Sequence, residues 1–209
     1  MKLILKQLNK ARHAALVILA ILALQSSGAI FAMQSHFYFG ATASSNNNIT
    51  NLVSLRLAGY EEVANFLALN IQCPRLQDLV IDHCNYLLPH VVDRILPLAP
   101  YLLKLSLEGN EMYNLPDSIG NLTNLQELNL SNNMLTTLPD SIGQLTNLKS
   151  LNLSLNQLTA LPTSIVNLTK LQNLKLVTNK CTVATLELLN VLRARGMSIQ
   201  SDFFFTKTA

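Results

Sequence analysis

The sequence is most informative at first through what it lacks. It has no tryptophan, only seven glycines among its 209 residues and only 13% charged residues. It contains neither a GxGxxG phosphate-binding loop nor a GxSxG nucleophile motif. Its four histidines are scattered without HxxxH spacing, so no cluster of metal ligands is expected. The sequence therefore predicts no catalytic residue, no metal site and no cofactor.

The few charged residues are also unevenly distributed along the chain. The formal net charge is +3, but four of the 15 basic residues lie within the first twelve positions. From residue 33 onward, 11 Lys and Arg residues stand against 12 Asp and Glu residues. A nucleic-acid-binding protein needs a basic surface that neutralises phosphates. Since this part of the chain has no strong basic stripe, no nucleic-acid partner is predicted.

The N-terminal segment has the order of a secretory signal peptide. Basic residues precede an uncharged apolar run at 14–24, and small residues follow it. We therefore interpret residues 1–32 as a signal peptide that directs the chain out of the cytoplasm. The alternative is an uncleaved membrane anchor at 14–33, since this uncharged stretch just reaches the length that spans a membrane. Residues 33–51 are interpreted as an N-terminal linker and partial cap.

A strict internal repeat follows. Three consecutive units of equal length begin at Leu102, Leu125 and Leu148 and share the pattern LxxLxLxxNxLxxLPxxIxxLxx. A further unit begins at Leu171, and two longer, less regular units begin at Leu52 and Leu76. Chance agreement over three units in register is negligible. The repeats thus predict a solenoid of about six units over residues 52–181.

The spacing within a unit predicts its local structure. Alternation in LxxLxL is the period of a strand with one buried face, so each unit offers one short strand. Proline and the polar residues after it suit the start of a short helix or 3-10 turn on the return path. No unit can bury its leucines alone, so the strands must stack in one parallel sheet. The predicted strand centres are Leu105, Leu128, Leu151 and Leu174.

This pattern resembles the leucine-rich-repeat family, in the LPxxIGxLTNLxxLxLxxN form found in bacterial and plant-like members. The segment Cys73–Asn85 resembles the cysteine-containing subclass, in which Cys84 replaces the signature asparagine. The resemblance implies an α/β right-handed solenoid, with a parallel β-sheet on the concave face and short helices or 3-10 turns on the convex face. It also implies an asparagine ladder inside the solenoid that bonds adjacent turns. The ladder residues are Asn110, Asn133, Asn156 and Asn179.

The three cysteines are expected to be free, buried thiols. Cys73 and Cys84 lie on either side of a predicted strand, which holds them beyond the reach of a disulfide. Cys181 falls on the apolar column of Leu135 and Leu158, which indicates a core position.

The concave face is the predicted binding surface, because repeat proteins use the outward positions of their strands for recognition. Acidic residues collect toward its N-terminal half and lysines toward its C-terminal half, and the side chains of Asp82 and Glu108 are expected to be exposed. Such a face could orient a protein partner of complementary polarity; the alternative is a solvated surface without a partner. The predicted binding residues are Arg56, Asp78, Asp82, Glu108, Glu127, Asn129, Lys149, Asn152 and Lys175.

The function predicted from these features is a non-catalytic protein–protein interaction module that is exported and interacts with a host. One alternative is a membrane-anchored envelope scaffold. Another is a truncated ligase-type effector without its catalytic domain, since the stretch after Cys181 is far shorter than the roughly 100 residues of a domain. Residues 182–209 are interpreted as a C-terminal cap helix and tail, with the helix at Val183–Arg195 and a strand or apolar flap after it.

Overall fold

The computed structural model describes residues 43–44, 48–49, 53–59, 63–64, 66, 73–82, 84, 89–98 and 100–202. The predicted signal peptide or anchor at 1–32 lies outside the described residues, as does the alternative span 14–33. Within the predicted linker, β1 (Ala43–Ser44) and β2 (Asn48–Ile49) form an antiparallel pair.

One parallel sheet of seven strands forms the body of the described chain, and its strands follow each other in sequence order. The buried central positions are in register across the sheet: Leu105 pairs with Leu128, Leu128 with Leu151 and Leu151 with Leu174. This arrangement confirms the predicted parallel solenoid. The strands are β3 (Ser54–Ala58), β4 (Asp78–Asp82), β5 (Lys104–Ser106), β6 (Glu127–Asn129), β7 (Ser150–Asn152), β8 (Asn173–Lys175) and β9 (Ser198–Gln200).

The return path of each regular repeat is a single 3-10 helix. Each begins directly after a proline whose ψ is near 150°, so the proline sets the extended entry. The polar residues that follow were expected to cap these helices, but no side chain makes a cap hydrogen bond there. These helices are η2 (Asp117–Asn121), η3 (Asp140–Gln144) and η4 (Thr163–Asn167), and the longer unit that begins at Leu76 has α1 (Pro89–Ile95) and η1 (Leu96–Leu98) instead.

Glycine is required where successive 3-10 helices touch. A Cβ at Gly143 would lie 2.6 Å from the backbone oxygen of Ser164 and 2.7 Å from its Cβ. A Cβ at Gly120 would likewise lie 2.8 Å from the backbone oxygen of Ser141. In η4 the corresponding residue is Val166, because the next helix along the described chain is an α-helix and not another 3-10 helix.

We therefore expect Gly143→Ala to lower the free energy of unfolding by about 1–3 kcal/mol, the usual cost of overpacking. Urea denaturation of the purified chain measures it. The matched control is Gln144→Ala, an exposed change on the same helix, which should cost less than about 0.5 kcal/mol. Equal midpoints for the two variants would show that neighbouring turns do not touch closely at Gly143.

The predicted asparagine column lies inside the solenoid. Oδ1 of Asn133 accepts hydrogen bonds from the backbone N–H of Asn110 at 3.1 Å and of Met112 at 3.0 Å. Its Nδ2 donates to the backbone oxygen of Leu107 at 2.8 Å. One side chain thus satisfies backbone groups of two successive turns, which a buried amide must do to avoid a desolvation penalty. Cys84 continues the column, and its backbone N–H donates to Oδ1 of Asn110 at 3.0 Å.

Beyond the last repeat, α2 (Val183–Ala194) is followed by Gly196 in the left-handed region (φ 83°) and then by β9, which extends the sheet in parallel with β8. The predicted helix therefore ends one residue earlier than Arg195. In the part of the chain that the structure describes, no helix is long and apolar enough to cross a membrane.

All three cysteines are free. Cys73 and Cys84 are buried as expected, and desolvation raises the pKa of the Cys73 thiol to about 11. The expectation of a fully buried Cys181 is wrong, since this residue is only half-buried. It stands after the last regular turn, where no further repeat of the described chain covers it. Burial still raises its pKa, although a hydrogen bond with Thr185 acts in the opposite direction.

Candidate functional site: the concave face of the sheet

The concave face consists of the strand residues of β3 to β9 that point away from the leucine core. Along each strand the central residue is buried or nearly so, and its two neighbours are exposed or half-buried. Lys104 and Glu127 are exposed on the middle strands, and Lys175 is exposed on β8. The face therefore presents rows of polar side chains to solvent.

A shallow depression of about 250 Å³ lies at the centre of this face. Leu105 and Leu128, which are almost fully buried, contribute to its lining, and hydroxyl, amide and charged groups surround it. The polar lining residues are Asp78, Lys104, Ser106, Glu127, Asn129, Ser150 and Asn152. The structure thus brings four of the predicted binding residues together here: Asp78, Glu127, Asn129 and Asn152.

Charges alternate across the depression. Asp78 is in register with Lys104, and Lys104 with Glu127. The Lys104 ammonium lies 2.8 Å from Oε1 of Glu127. Glu127, by hydrogen bonding and charge, and more weakly Asp78, raise the pKa of Lys104 above its ordinary value. The ammonium thus offsets one of the two carboxylates, and this row keeps one net negative charge.

Asp82 does not behave as predicted. Its side chain was expected to be exposed, but the residue is buried, with a relative exposure of 6%. It forms an ion pair with Arg56 of the adjacent strand, whose side chain remains half exposed. The residue in register with Asp82 is Ala58, so Arg56 reaches the carboxylate from two positions earlier on β3. Asp82 and Arg56 therefore contribute to holding β3 against β4.

Glu108 is exposed, as predicted, and Oε2 of its carboxylate accepts a hydrogen bond from Nδ2 of Asn129 at 2.9 Å. Asn129 also accepts hydrogen bonds from the backbone N–H and the hydroxyl of Ser131 through Oδ1. The amide of Asn129 is therefore fixed in orientation, and it presents Glu108 at the rim of the depression.

The C-terminal end of the solenoid carries lysines held by neutral groups. The ammonium of Lys149 donates to Oε1 of Gln126 at 2.9 Å, and that of Lys180 donates to Oε1 of Gln157 at 3.0 Å. Each bond joins a lysine to the preceding repeat. Because an amide oxygen carries no charge, the positive charge at this end is not neutralised by these contacts.

Sequence reasoning did not include Lys104, Ser106 or Ser150 among the predicted binding residues. It also missed Leu155, which is 52% exposed and has a positive φ of 57°. The left-handed region is unfavourable for a residue with a Cβ. A signal was present, since Leu155 occupies the same position in its repeat as Asn132 and Gly109, both with positive φ.

No group of three or more His, Cys, Asp or Glu residues that could hold a metal ion occurs within the described ranges.

Comparisons with known proteins agree with this geometry. The chain matches the leucine-rich repeat region family over residues 62–203. A leucine-rich-repeat protein of Leptospira interrogans is 32% identical with a TM-score of 0.53, over 67% of this chain and 39% of that one. An internalin of Listeria monocytogenes has a similar fold, with a TM-score of 0.56 at 19% identity over 75% of this chain and 49% of that one.

A Toll-like receptor solved in complex with single-stranded RNA is 28% identical with a TM-score of 0.54, over 64% of this chain and 20% of the receptor. A comparison with curated proteins finds no similar sequence. The chain spans less than half the length of each of these solved relatives.

The relative from Leptospira interrogans is bacterial, which agrees with a form of the repeat found in bacterial and plant-like members. The family match covers more than half of the chain, and the seven parallel strands with 3-10 returns have the architecture that the repeat predicts. The chain belongs to the leucine-rich-repeat family.

Proposed function

We propose that this chain binds a protein through its concave face, with the central depression as the contact centre. Leucine-rich-repeat proteins generally act as protein-interaction modules, and the finer assignment rests on one observation. Oriented polar groups of β4 to β7 converge on one depression in the middle of the sheet. Such a surface, with donors and acceptors gathered around one depression, can form directional hydrogen bonds with a partner.

The chemistry of the depression indicates a polar segment as its occupant. Ser106, Ser150 and the amides of Asn129 and Asn152 can each donate and accept hydrogen bonds. Apolar contact is available beyond the end of β7, where Leu155 is 52% exposed. A partner that places a polar chain over the depression and an apolar side chain near Leu155 would use both features.

We also propose that the chain is exported by residues 1–32 and that it meets its partner outside the cytoplasm. The support is the order of basic, apolar and small residues in that segment. Edman sequencing of the isolated chain tests this part of the proposal: a start near residue 33 supports cleavage, and an intact Met1 contradicts it.

Site-specific photocrosslinking tests the surface itself. A benzophenone amino acid at Ser106 or Asn152 of the full chain should form adducts with a bound protein in the source cell, because both residues line the depression. The matched controls carry the same group at Asn121 or Asn167, exposed residues of the 3-10 helices on the opposite side. Adducts only from the control positions would place the interface on the convex side and contradict the proposal.

A further inference from the structure

Charge is segregated along the solenoid. Residues 73–144 contain three Lys and Arg residues against eight Asp and Glu residues, whereas residues 145–202 contain six against two. The two ends thus carry opposite net charges, although the chain from residue 33 onward is nearly neutral. A molecule that is neutral overall but strongly polar along one axis is complementary to a reversed copy of itself.

Three lysines of the basic end, Lys149, Lys170 and Lys180, are held by neutral groups. Both ion pairs that the structure describes, Arg56–Asp82 and Lys104–Glu127, lie toward the acidic end. The ammonium groups of Lys149, Lys170 and Lys180 are held by amide oxygens of the preceding repeat. These bonds orient the lysines but leave their charge available to a carboxylate of another molecule.

The positions of two residues on the sheet are symmetric. β6 is the middle of the seven strands, Asp78 lies on β4 and Lys175 lies on β8, each two strands from the middle. From these placements we infer that the partner of the concave face is a second copy of this chain, which faces the first with its strand order reversed. This inference rests on the proposed use of the concave face and names its partner.

In such a pair β4 of each copy lies opposite β8 of the other. Asp78 then faces Asn173 on β8 of the other copy, and Lys175 lies two residues further along that strand. This offset is about 6–7 Å, which a lysine side chain spans. The contact occurs twice because a two-fold interface repeats every interaction. In the middle, where each face has its depression, Ser106 lies opposite Asn152 of the second copy across the space between the two sheets, and the direct contacts are those of β4 with β8.

This arrangement brings one pair of like charges together, the two Glu127 carboxylates, and a neighbouring lysine offsets their repulsion. The Glu127 side chains of the two copies approach the two-fold axis, since β6 lies opposite itself. Each is already paired with Lys104 of its own chain at 2.8 Å, which offsets the repulsion. The Lys104–Glu127 pair therefore has a place in the interface as well as within the sheet.

The size of the sheet sets the expected strength. Seven strands about 4.8 Å apart extend over roughly 30 Å, and strands of three residues are about 10 Å long, so the buried area is smaller than that of a standard interface and the association is expected to be weak. We expect a dissociation constant on the order of 10 µM in about 50 mM salt, and a loss of dimer in about 500 mM salt, because the contacts are exposed charges. Sedimentation velocity on the isolated chain across this range of concentration and salt measures both.

A charge exchange gives the decisive test. Asp78→Lys alone places lysine opposite lysine at both contacts, and Lys175→Asp alone places aspartate opposite aspartate, so each variant should dimerise at least about tenfold more weakly. An equimolar mixture of the two variants should recover the affinity of the unchanged chain, because both contacts are again between opposite charges. Lys175 is exposed, so its variant serves even if the change at half-buried Asp78 impairs folding.

The matched control is Asp140→Lys, which changes the net charge of the acidic end as much as Asp78→Lys does but lies exposed on the convex side, and it should leave the dissociation constant within about twofold. A chain that stays monomeric at about 100 µM in low salt, or a mixture of charge variants that fails to recover dimerisation, would overturn the inference. Crosslinks from Ser106 to a different protein would retain the proposed binding face and remove only the second copy as its partner.

Discussion

Leu151→Ala is expected to lower the free energy of unfolding by about 2–5 kcal/mol, the cost of removing a buried leucine and leaving a cavity. Leu151 is fully buried at the centre of β7, in register with Leu128 on one side and Leu174 on the other. Since a solenoid is stabilised by contacts between neighbouring units, a cavity here weakens two interfaces at once. Equilibrium denaturation in urea, followed by circular dichroism, measures the change.

The control for this prediction is Gln172→Ala, an exposed residue one strand away, for which a change below about 0.5 kcal/mol is expected. Gln126 is less suitable because it is half-buried and accepts the hydrogen bond of Lys149. If Leu151→Ala and Gln172→Ala shifted the midpoint equally, the assignment of inner and outer strand positions would be wrong.

The register of the sheet was predictable because the repeat is strict. Its constant period places equivalent leucines at equal intervals, and a strand that slipped by one position would turn its leucines to solvent. The parallel sheet therefore follows from the pattern, whereas the return path was predicted only as a short helix or a 3-10 turn, and the structure shows 3-10 helices. The α-helix at Pro89–Ile95 follows less directly, since it depends on the extra length of the unit that begins at Leu76.

The sequence predicts which residues lie on the concave face, but it does not predict how their side chains contact one another. Alternation indicates that Asp82 points outward, but it cannot show that Arg56 of the neighbouring strand pairs with it above the small residue Ala58. In the same way, the sequence places Lys104 among acidic residues without showing that its ammonium reaches Glu127. These contacts depend on side-chain conformations across strands, which a one-dimensional period does not encode.

The burial of Asp82 also changes how the binding face should be tested. Replacement of Asp82 by lysine would place an ammonium at a buried site next to the Arg56 guanidinium, and an unpaired buried charge costs several kcal/mol. A loss of binding in such a variant would report on folding rather than on recognition. Charge reversals at Asp78 and Lys175 are therefore more informative than reversals in the column of Asp82.

Asn133→Ala is expected to have an effect as large as that of Leu151→Ala, for a different reason. The alanine side chain cannot replace the acceptor used by the backbone N–H groups of Asn110 and Met112, nor the donor used by the carbonyl of Leu107. These groups lie inside the solenoid, and each buried polar group left without a partner costs about 1–3 kcal/mol. With two N–H groups unpaired, we expect a loss of about 3–6 kcal/mol of unfolding free energy, measured in the same urea experiment.

Asn179→Ala tests whether burial of the ladder is the cause. Its Oδ1 accepts from the backbone N–H of Leu158 at 3.0 Å, and its Nδ2 donates to the carbonyls of Leu153 at 2.9 Å and Leu176 at 3.1 Å, as in Asn133, whose Oδ1 accepts from a second backbone N–H as well. Asn179 is only half-buried, so water can replace part of what the side chain provides. We therefore expect a clearly smaller loss for Asn179→Ala than for Asn133→Ala. Equal losses would show that the cost arises from the local turn and not from unpaired groups in the interior.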